Sequence, residues 1–242
     1  MAKANEKTKG EAKESAAKSR EPLTRERVLG AAVAMADEEG LDALSMRKLG
    51  QKLGVEAMSL YNHVKNKDAI LDGIVDMVVG EIEIPADAPD WKTAMRRRAA
   101  AAHDVLLRHP WSVALIESRM GLGPSRMGYF DWVIGTLRGA GFSLDLAYNA
   151  FLTMDSFIYG FTLHEVNWPF QTDEERDRVL AETMPNIPME DYPNIHALME
   201  HATAVSAGLD EAAAAGVSPY VAEFEFGLDL ILDGLERARA GA

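Results

Sequence analysis

A chain of 242 residues, 48% hydrophobic and 26% charged, has ample length to bury a core and is too apolar to be wholly disordered. It contains no cysteine, which excludes disulfide scaffolds, thiolate metal sites and cysteine nucleophiles. The formal net charge of −13 argues at first sight against a nucleic-acid partner, but it is unevenly spread. Residues 1–70 hold 13 Lys+Arg against 11 Asp+Glu, a net of +2, while residues 71–242 hold 12 against 27, a net of −15. Positions 43–67 carry Arg47, Lys48, Lys52, Lys65 and Lys67 against Glu56 alone. Such a basic island is either a solvated helix surface or a footprint for phosphates.

In chain order, residues 1–20 have few large apolar side chains and are expected to form a disordered basic tail. From Thr24 onward the pattern is helical. Val28, Leu29, Ala32, Val33, Met35 and Ala36 make one stripe at helical spacing, and Gly40 is expected to end it in a left-handed cap. Leu44, Leu49 and Leu53 mark a short second helix that Ser45 can cap and Gly54 breaks. A third helix is expected from Glu56 to Val64 and a fourth from Lys67 to Glu83, before a linker from Ile84 to Asp90 with two prolines. Further helices are expected at 91–108, 110–118, 124–140, 143–168, 173–184, 192–214 and 218–239, with no strand-like alternation. The expected fold class is all-α: a helix–turn–helix domain at 21–67 and a larger helical body at 68–242.

The segment Leu44 to Val64 has the build of a DNA-reading unit. Leu49, Leu53, Val55 and Leu60 can form a core shared by two short helices, with Gly50 small at their contact and Gly54 at the turn. That leaves Ala57, Met58, Ser59, Tyr61, Asn62 and His63 on or near an exposed helix face suited to the major groove. Many αα-hairpins share this spacing. The resemblance of Gly40 to Asp72 (GLDALSMRKLGQKLGVEAMSLYNHVKNKDAILD) to the N-terminal domain of the tetracycline-repressor family is more specific. Gly141 to Asp145, the Gly160 region and Phe226 to Glu236 also resemble the C-terminal domain of the tetracycline repressor itself.

This resemblance implies a DNA-binding regulator. By it Arg47 reaches a base, Ala57, Met58, Ser59 and Asn62 face the groove, and Tyr61 and Lys67 contact phosphate, with Ser45, His63 and Lys65 nearby. Ala57 and Met58 are apolar where the tetracycline repressor has a polar base-reader and a proline, so a different operator is expected. The family implies a homodimer built through the last helix and the one near 143–168. Val221, Phe224, Leu228, Ile231, Leu232 and Leu235 give the last helix a wide apolar face for this, with Gly227 and Gly234 permitting close approach. That face could instead pack only within the subunit.

The body is rich in aromatics, which serve either as core or as the wall of a ligand pocket. Candidate pocket residues, by the resemblance, are Arg98, Ala102, His103, Ile116, Met120, Trp132, Phe151, Asp155, Tyr159 and His164. Glu83, Arg98, Ile116 and His164 fall where the tetracycline repressor holds its drug–magnesium complex, and the set does not match that site. The expected effector is therefore a different hydrophobic or aromatic small molecule, with no cofactor and no metal. The implied mechanism is a population shift, in which an effector moves the fourth helix and with it the reading helices. Activation, or regulation without a ligand, remains an alternative.

An enzyme is the rival from another class. His164-Glu165 begins like a zinc-protease motif but lacks its second histidine, and neither a phosphate-binding glycine loop nor Gly-x-Ser-x-Gly occurs. No apolar run is long enough to cross a bilayer and no secretory signal is evident, so a cytoplasmic protein is expected, without a membrane partner.

Overall fold

The computed structural model describes residues 22–119, 121, 123–167, 173–184, 187–205 and 220–241. The expected tail at 1–20 lies outside these residues. The described residues form α-helices and short 3₁₀ turns, and contain no strand. The helices are α1 (Arg25–Glu39), α2 (Met46–Leu53), α3 (Ala57–Leu60), α4 (Lys67–Gly80), α5 (Trp91–Arg108), α6 (Ser112–Ser118), α7 (Pro124–Gly139), α8 (Leu144–Val166), α9 (Asp173–Thr183), α10 (Pro193–Val205) and α11 (Val221–Ala240).

The chain divides into two compact units, Met1–Ile74 and Val75–Ala242. The division falls inside α4 rather than at the expected 67/68, because the stripe that buries Ile70 and Ile74 belongs to a helix that continues unbroken. In the first unit, α1 buries all six residues of its predicted stripe and packs on α2, which packs on α3. Thr24 caps α1 by accepting from Arg27 N at 3.2 Å. Gly40 ends it at φ 80°, ψ 163°. That is not the expected left-handed cap but an extended, positive-φ conformation that only glycine adopts readily.

In the second unit, α5 packs against α7, α8 and α11, and α8 packs against α7 and α11. Its core runs from Val75 through Met95, Leu106, Val133, Met154 and Ile158 to Leu232. Asp90 caps α5 and Ser143 caps α8. Asp76 on α4 closes the N-terminus of α7, where its carboxylate lies against Gly123 and accepts from Arg126 N at 2.9 Å. A side chain at Gly123 would collide with that carboxylate.

Two expectations for the last helix need correction. Phe224, Leu228, Leu232 and Leu235 are buried within the subunit, and Ile231 is half-buried against the same core. Of the predicted face only Val221 is exposed, while Phe226 and Leu230, on another side of α11, face solvent. Gly227 does permit close approach, since a Cβ there would lie 2.6 Å from the Phe157 ring of α8. Gly234 has only the end of Arg237 near it. The part of the helix expected at 192–214 that lies beyond 205 is outside the described residues.

Candidate nucleic-acid surface and effector cavity

In the first unit, Ser45 caps α2 by accepting from Lys48 N at 3.3 Å. Gly54 then stops the helix in the left-handed conformation, φ 69°, ψ 33°. Its N–H bonds Gln51 O, and Val55 N bonds Gly50 O at 2.9 Å, which together form a Schellman closure. Gly50 is needed beneath this closure. A Cβ on it would lie 2.9 Å from Val55 O and 3.2 Å from Ala57 N. Leu49 and Leu60 are fully buried across the turn, with Leu53 and Val55 half-buried.

The third helix is shorter than expected. Only Ala57–Leu60 is α-helical. Beyond it the backbone tightens to three-residue hydrogen bonds, Tyr61 N to Met58 O at 3.3 Å, Asn62 N to Ser59 O at 3.4 Å and His63 N to Leu60 O at 2.9 Å. Asn and His favour such local turns over helix propagation. The side chains still form a face. Met58 is 74% exposed, Tyr61 and Asn62 are exposed, and Ala57, Ser59 and His63 are half-buried.

The basic island separates into two groups. Lys48 pairs with Glu39 at 2.9 Å and Lys52 with Glu38 at 2.5 Å, so two cations tie α2 to the end of α1. Arg47, Lys65 and Lys67 are exposed and make no ion pair with the described residues. Asn66 caps α4 by accepting from Ala69 N at 2.8 Å, which sets Lys67 in its first turn.

The second unit carries exposed ion pairs, such as Arg108 with Glu81, and a polar network inside. Arg98 is 0% exposed. Its Nε donates to the Tyr129 hydroxyl at 2.5 Å, its Nη2 donates to Asp155 Oδ1, and its carbon lies 4.9 Å from the Tyr129 ring centroid. Tyr159 donates to Asp155 Oδ2 at 3.2 Å. Burial pushes the Tyr129 phenol up to about 12 and the Tyr159 phenol well above its ordinary range, so both stay neutral near neutral pH. Burial opposes the charge on Arg98, but Tyr129 and Asp155 outweigh it and raise its pKa.

A small enclosed cavity adjoins this network. Its wall includes Ala102, Ile116, Asp155 and Tyr159, all candidates, together with Tyr129 and Phe130 from the aromatics of the body and with Arg126, which is not among the candidates. The free space is about 10 Å³, room for roughly one water. The Arg126 guanidinium is buried; it donates to Ile116 O, Arg119 O and Gly121 O and lies 5.7 Å from the Phe130 ring. A signal for it existed in the sequence. Arg126 is a cation in the first turn of a helix, where the dipole disfavours it, and Tyr129 and Phe130 follow at i+3 and i+4.

Phe151 stands beside the network, 5.1 Å from Phe130 between ring centroids and 5.8 Å from Arg98. The other candidates fall elsewhere. His103 is buried but stacks on Phe224 at 4.3 Å and bonds Glu165 at 3.1 Å, and it is not part of the cavity wall. Trp132 borders a separate open groove with Trp91 and Arg239. His164 is exposed on the last turn of α8, its ring 6.4 Å from that of Tyr220. Met120 is outside the described residues. No cluster of His, Cys, Asp or Glu suited to a metal ion occurs among the described residues, and no helix among them is long and apolar enough to cross a membrane.

Comparison with known proteins places these features in context. Residues 28–74 match the family model described as bacterial regulatory proteins, tetR family, and residues 84–239 match the tetracyclin repressor-like C-terminal domain. The chain is 34% identical over 219 residues to the HTH-type transcriptional repressor DrrR1 of Streptomyces coeruleorubidus, covering 88% of this chain and 77% of that one. It is 30% identical to the class A tetracycline repressor from transposon 1721 of Escherichia coli, over 88% of this chain and 90% of that one. Among solved structures, ActR of Streptomyces coelicolor superposes with a TM-score of 0.71 at 28% identity in its apo form, over 91% of this chain and 98% of that one. Its complex with actinorhodin gives 0.69 at 29%, over 90% and 99%.

Proposed function

The chain belongs to the tetracycline-repressor family of bacterial regulatory proteins, and on that premise we propose that it is a cytoplasmic repressor that binds a palindromic operator as a homodimer and leaves it when a small aromatic effector enters the second unit. Membership of the family makes it a transcription regulator and not an enzyme. The observation that carries the reading is the α2–Gly54–α3 unit, closed beneath Gly50 and presenting Arg47, Met58, Tyr61 and Asn62 to solvent.

In this reading Arg47 reads a base, and Ala57, Met58, Ser59 and Asn62 line the groove-facing surface, with Met58 suited to a thymine methyl. Tyr61, Lys65 and Lys67 contact phosphates, assisted by Ser45 and His63, and fix the register. One such element covers too few base pairs to be selective, whereas a twofold dimer reads two half-sites. Leu144, Tyr148 and Leu152 are exposed at four-residue spacing on α8, and Phe226 and Leu230 on α11. Burying these apolar faces against their mates in a four-helix bundle would supply the dimer contact.

The effector reading rests on the cavity beside Arg126 and Asp155. At its present size any effector must push the wall outward. Arg126 is a wall residue, and its backbone N–H is held by Asp76 of α4. An outward shift of α7 would therefore pull on the helix that continues into the first unit, and so bias the spacing of the two reading heads. ActR, of similar fold, has been solved with actinorhodin, which supports a small-molecule effector here.

The test is fluorescence anisotropy with duplex DNA from the region upstream of the chain's own gene. The expected result is tight binding by a dimer, a steep loss with salt and a preference over competitor duplex. Equal affinity for any duplex would overturn the operator reading. A reporter on that promoter should rise when the gene is deleted; a fall would make the protein an activator.

A further inference from the structure

The cavity wall carries a buried cation with an unused donor, Arg126. Among the buried side-chain polar atoms of the described residues, Arg98 Nη1, Ser112 Oγ and Arg126 Nε lack a hydrogen-bond partner, and of these residues Arg126 lies on the cavity wall. Both oxygens of Asp155 are taken, one by Arg98 and one by Tyr159. The other carboxylate near Arg126, Asp76, receives the backbone N–H and not the guanidinium. The guanidinium itself is satisfied only by neutral backbone carbonyls. Arg98 thus has Asp155 as its carboxylate, whereas no carboxylate among the described residues pairs with the buried Arg126 guanidinium. An uncompensated buried cation with a free N–H is costly, and a partner that brings a negative oxygen removes that cost.

We propose that this cavity takes an anionic aromatic effector, a flat ring system bearing a carboxylate or phenolate oxygen that accepts from Arg126 Nε–H and is held by the charge of Arg126. The inference rests on the effector reading above and narrows it to a charge class. Phe130, Tyr129 and Tyr159 supply ring faces for the body of the molecule. A cationic aromatic amine is disfavoured, because the Arg126 guanidinium on the cavity wall repels it and Asp155 is already engaged by Arg98 and Tyr159. Engagement of Arg126 also places the effector's charge on the residue whose backbone Asp76 holds. This makes the anion the part of the effector that acts on α4.

The experiment is calorimetric titration of the full-length chain with three matched probes: anthraquinone-2-carboxylate, its carboxamide, and 2-(aminomethyl)anthraquinone. The carboxylate is expected to bind about tenfold or more tighter than the carboxamide, with the amine weakest, and to release operator DNA at lower concentration. In Arg126→Gln the carboxylate-to-carboxamide ratio should fall close to one, with carboxamide affinity little changed. The ratio reports the charge contact and is insensitive to a general loosening. If Arg126→Gln does not fold by circular dichroism, Arg126→Lys, which keeps the charge but moves the donor, should give an intermediate ratio. Carboxamide or amine binding as tightly as carboxylate would sink the anion assignment while leaving an effector pocket in place. An undiminished ratio in both Arg126 variants would overturn the role of this arginine. Binding of none of the three would count against the effector pocket itself, and against this inference with it.

Discussion

The charged groups proposed to act in the two units sit in opposite environments. In the first, Arg47, Tyr61, Lys65 and Lys67 are exposed and lie within 21 positions of one another along the chain. In the second, Arg98 meets Tyr129 and Asp155, partners 31 and 57 residues away, at full burial. An exposed cation in water is nearly free of consequence for stability and remains available to a charged partner. A buried one is held in place by its surroundings and exacts a large penalty when its partner is removed. The exposed face of Arg47, Tyr61, Lys65 and Lys67 can therefore change residues with little effect on folding, whereas the buried network cannot.

The sharpest way to break this contrast is to remove one charge from each unit. Asp155→Ala leaves the Arg98 guanidinium buried without its carboxylate and should destabilise the second unit by about 3–5 kcal/mol in urea denaturation. Adding Arg98→Met should recover part of the loss, since no buried charge is then left unpaired, while the Tyr129 and Tyr159 hydroxyls still lose their partners. Lys48→Ala, which breaks the exposed pair with Glu39, should cost less than about 1 kcal/mol. A similar cost for Asp155→Ala and Lys48→Ala would show that the buried network is far wetter than its burial implies.

Within the first unit, packing and reading should separate. Arg47→Ala is expected to weaken operator binding by about 1–3 kcal/mol and relax the preference at one base pair, with no change in unfolding. Gly50→Ala should do the converse. Its Cβ would press on Val55 O and Ala57 N, both backbone atoms, so the unit should lose about 1–3 kcal/mol of stability, and DNA binding should fall for every sequence alike. Lys67→Ala should reduce the slope of log affinity against log salt by about one and leave sequence preference intact. Relaxed specificity in Lys67→Ala, or an unchanged one in Arg47→Ala, would reverse the division between reading and positioning.

The same contrast explains what the sequence could tell. The helix–turn–helix is local. Ser45, Gly50, Gly54, Leu49 and Leu60 each answer to a neighbour within a dozen residues, so caps, turn and core were legible from spacing. What was missed there was also local: Tyr61, Asn62 and His63 fold into tighter turns, so the expected helix stops at Leu60. The cavity is not local. Ala102, Ile116, Asp155 and Tyr159 are candidates by the resemblance, yet composition gives the aromatics beside them only as core or pocket wall, and Arg126 is no candidate at all. Nothing in the spacing pairs Arg98 with Asp155 across 57 positions. The last helix shows a third kind of limit. Periodicity found its stripe, Phe224 to Leu235, but could not tell whether that stripe packs against a partner or, as here, within the subunit.

The smallest expected effect tests burial by protons rather than by mutation. His103 is buried against Phe224, and burial lowers its pKa below the ordinary value of 6.5, although Glu165 and Asp104 pull the other way. The unfolded chain then binds the proton more readily than the folded one. The resulting stability is fully present above 6.5 and is lost as pH falls through the lowered, folded value. The urea midpoint of the second unit should thus drop modestly between about pH 7.5 and about 5.5. His103→Gln keeps a hydrogen-bond donor for Glu165 but does not titrate in this range, so it should flatten most of that drop. A midpoint equally pH-dependent in His103→Gln would place the response on Glu165 or elsewhere. A midpoint that rose on acidification and lost the rise in His103→Gln would mean that Glu165 overrides burial and stabilises the charged imidazole. The rule that buried charge is disfavoured would then hold at Arg98 only where its carboxylate is removed, and the contrast between the units would narrow to that one network.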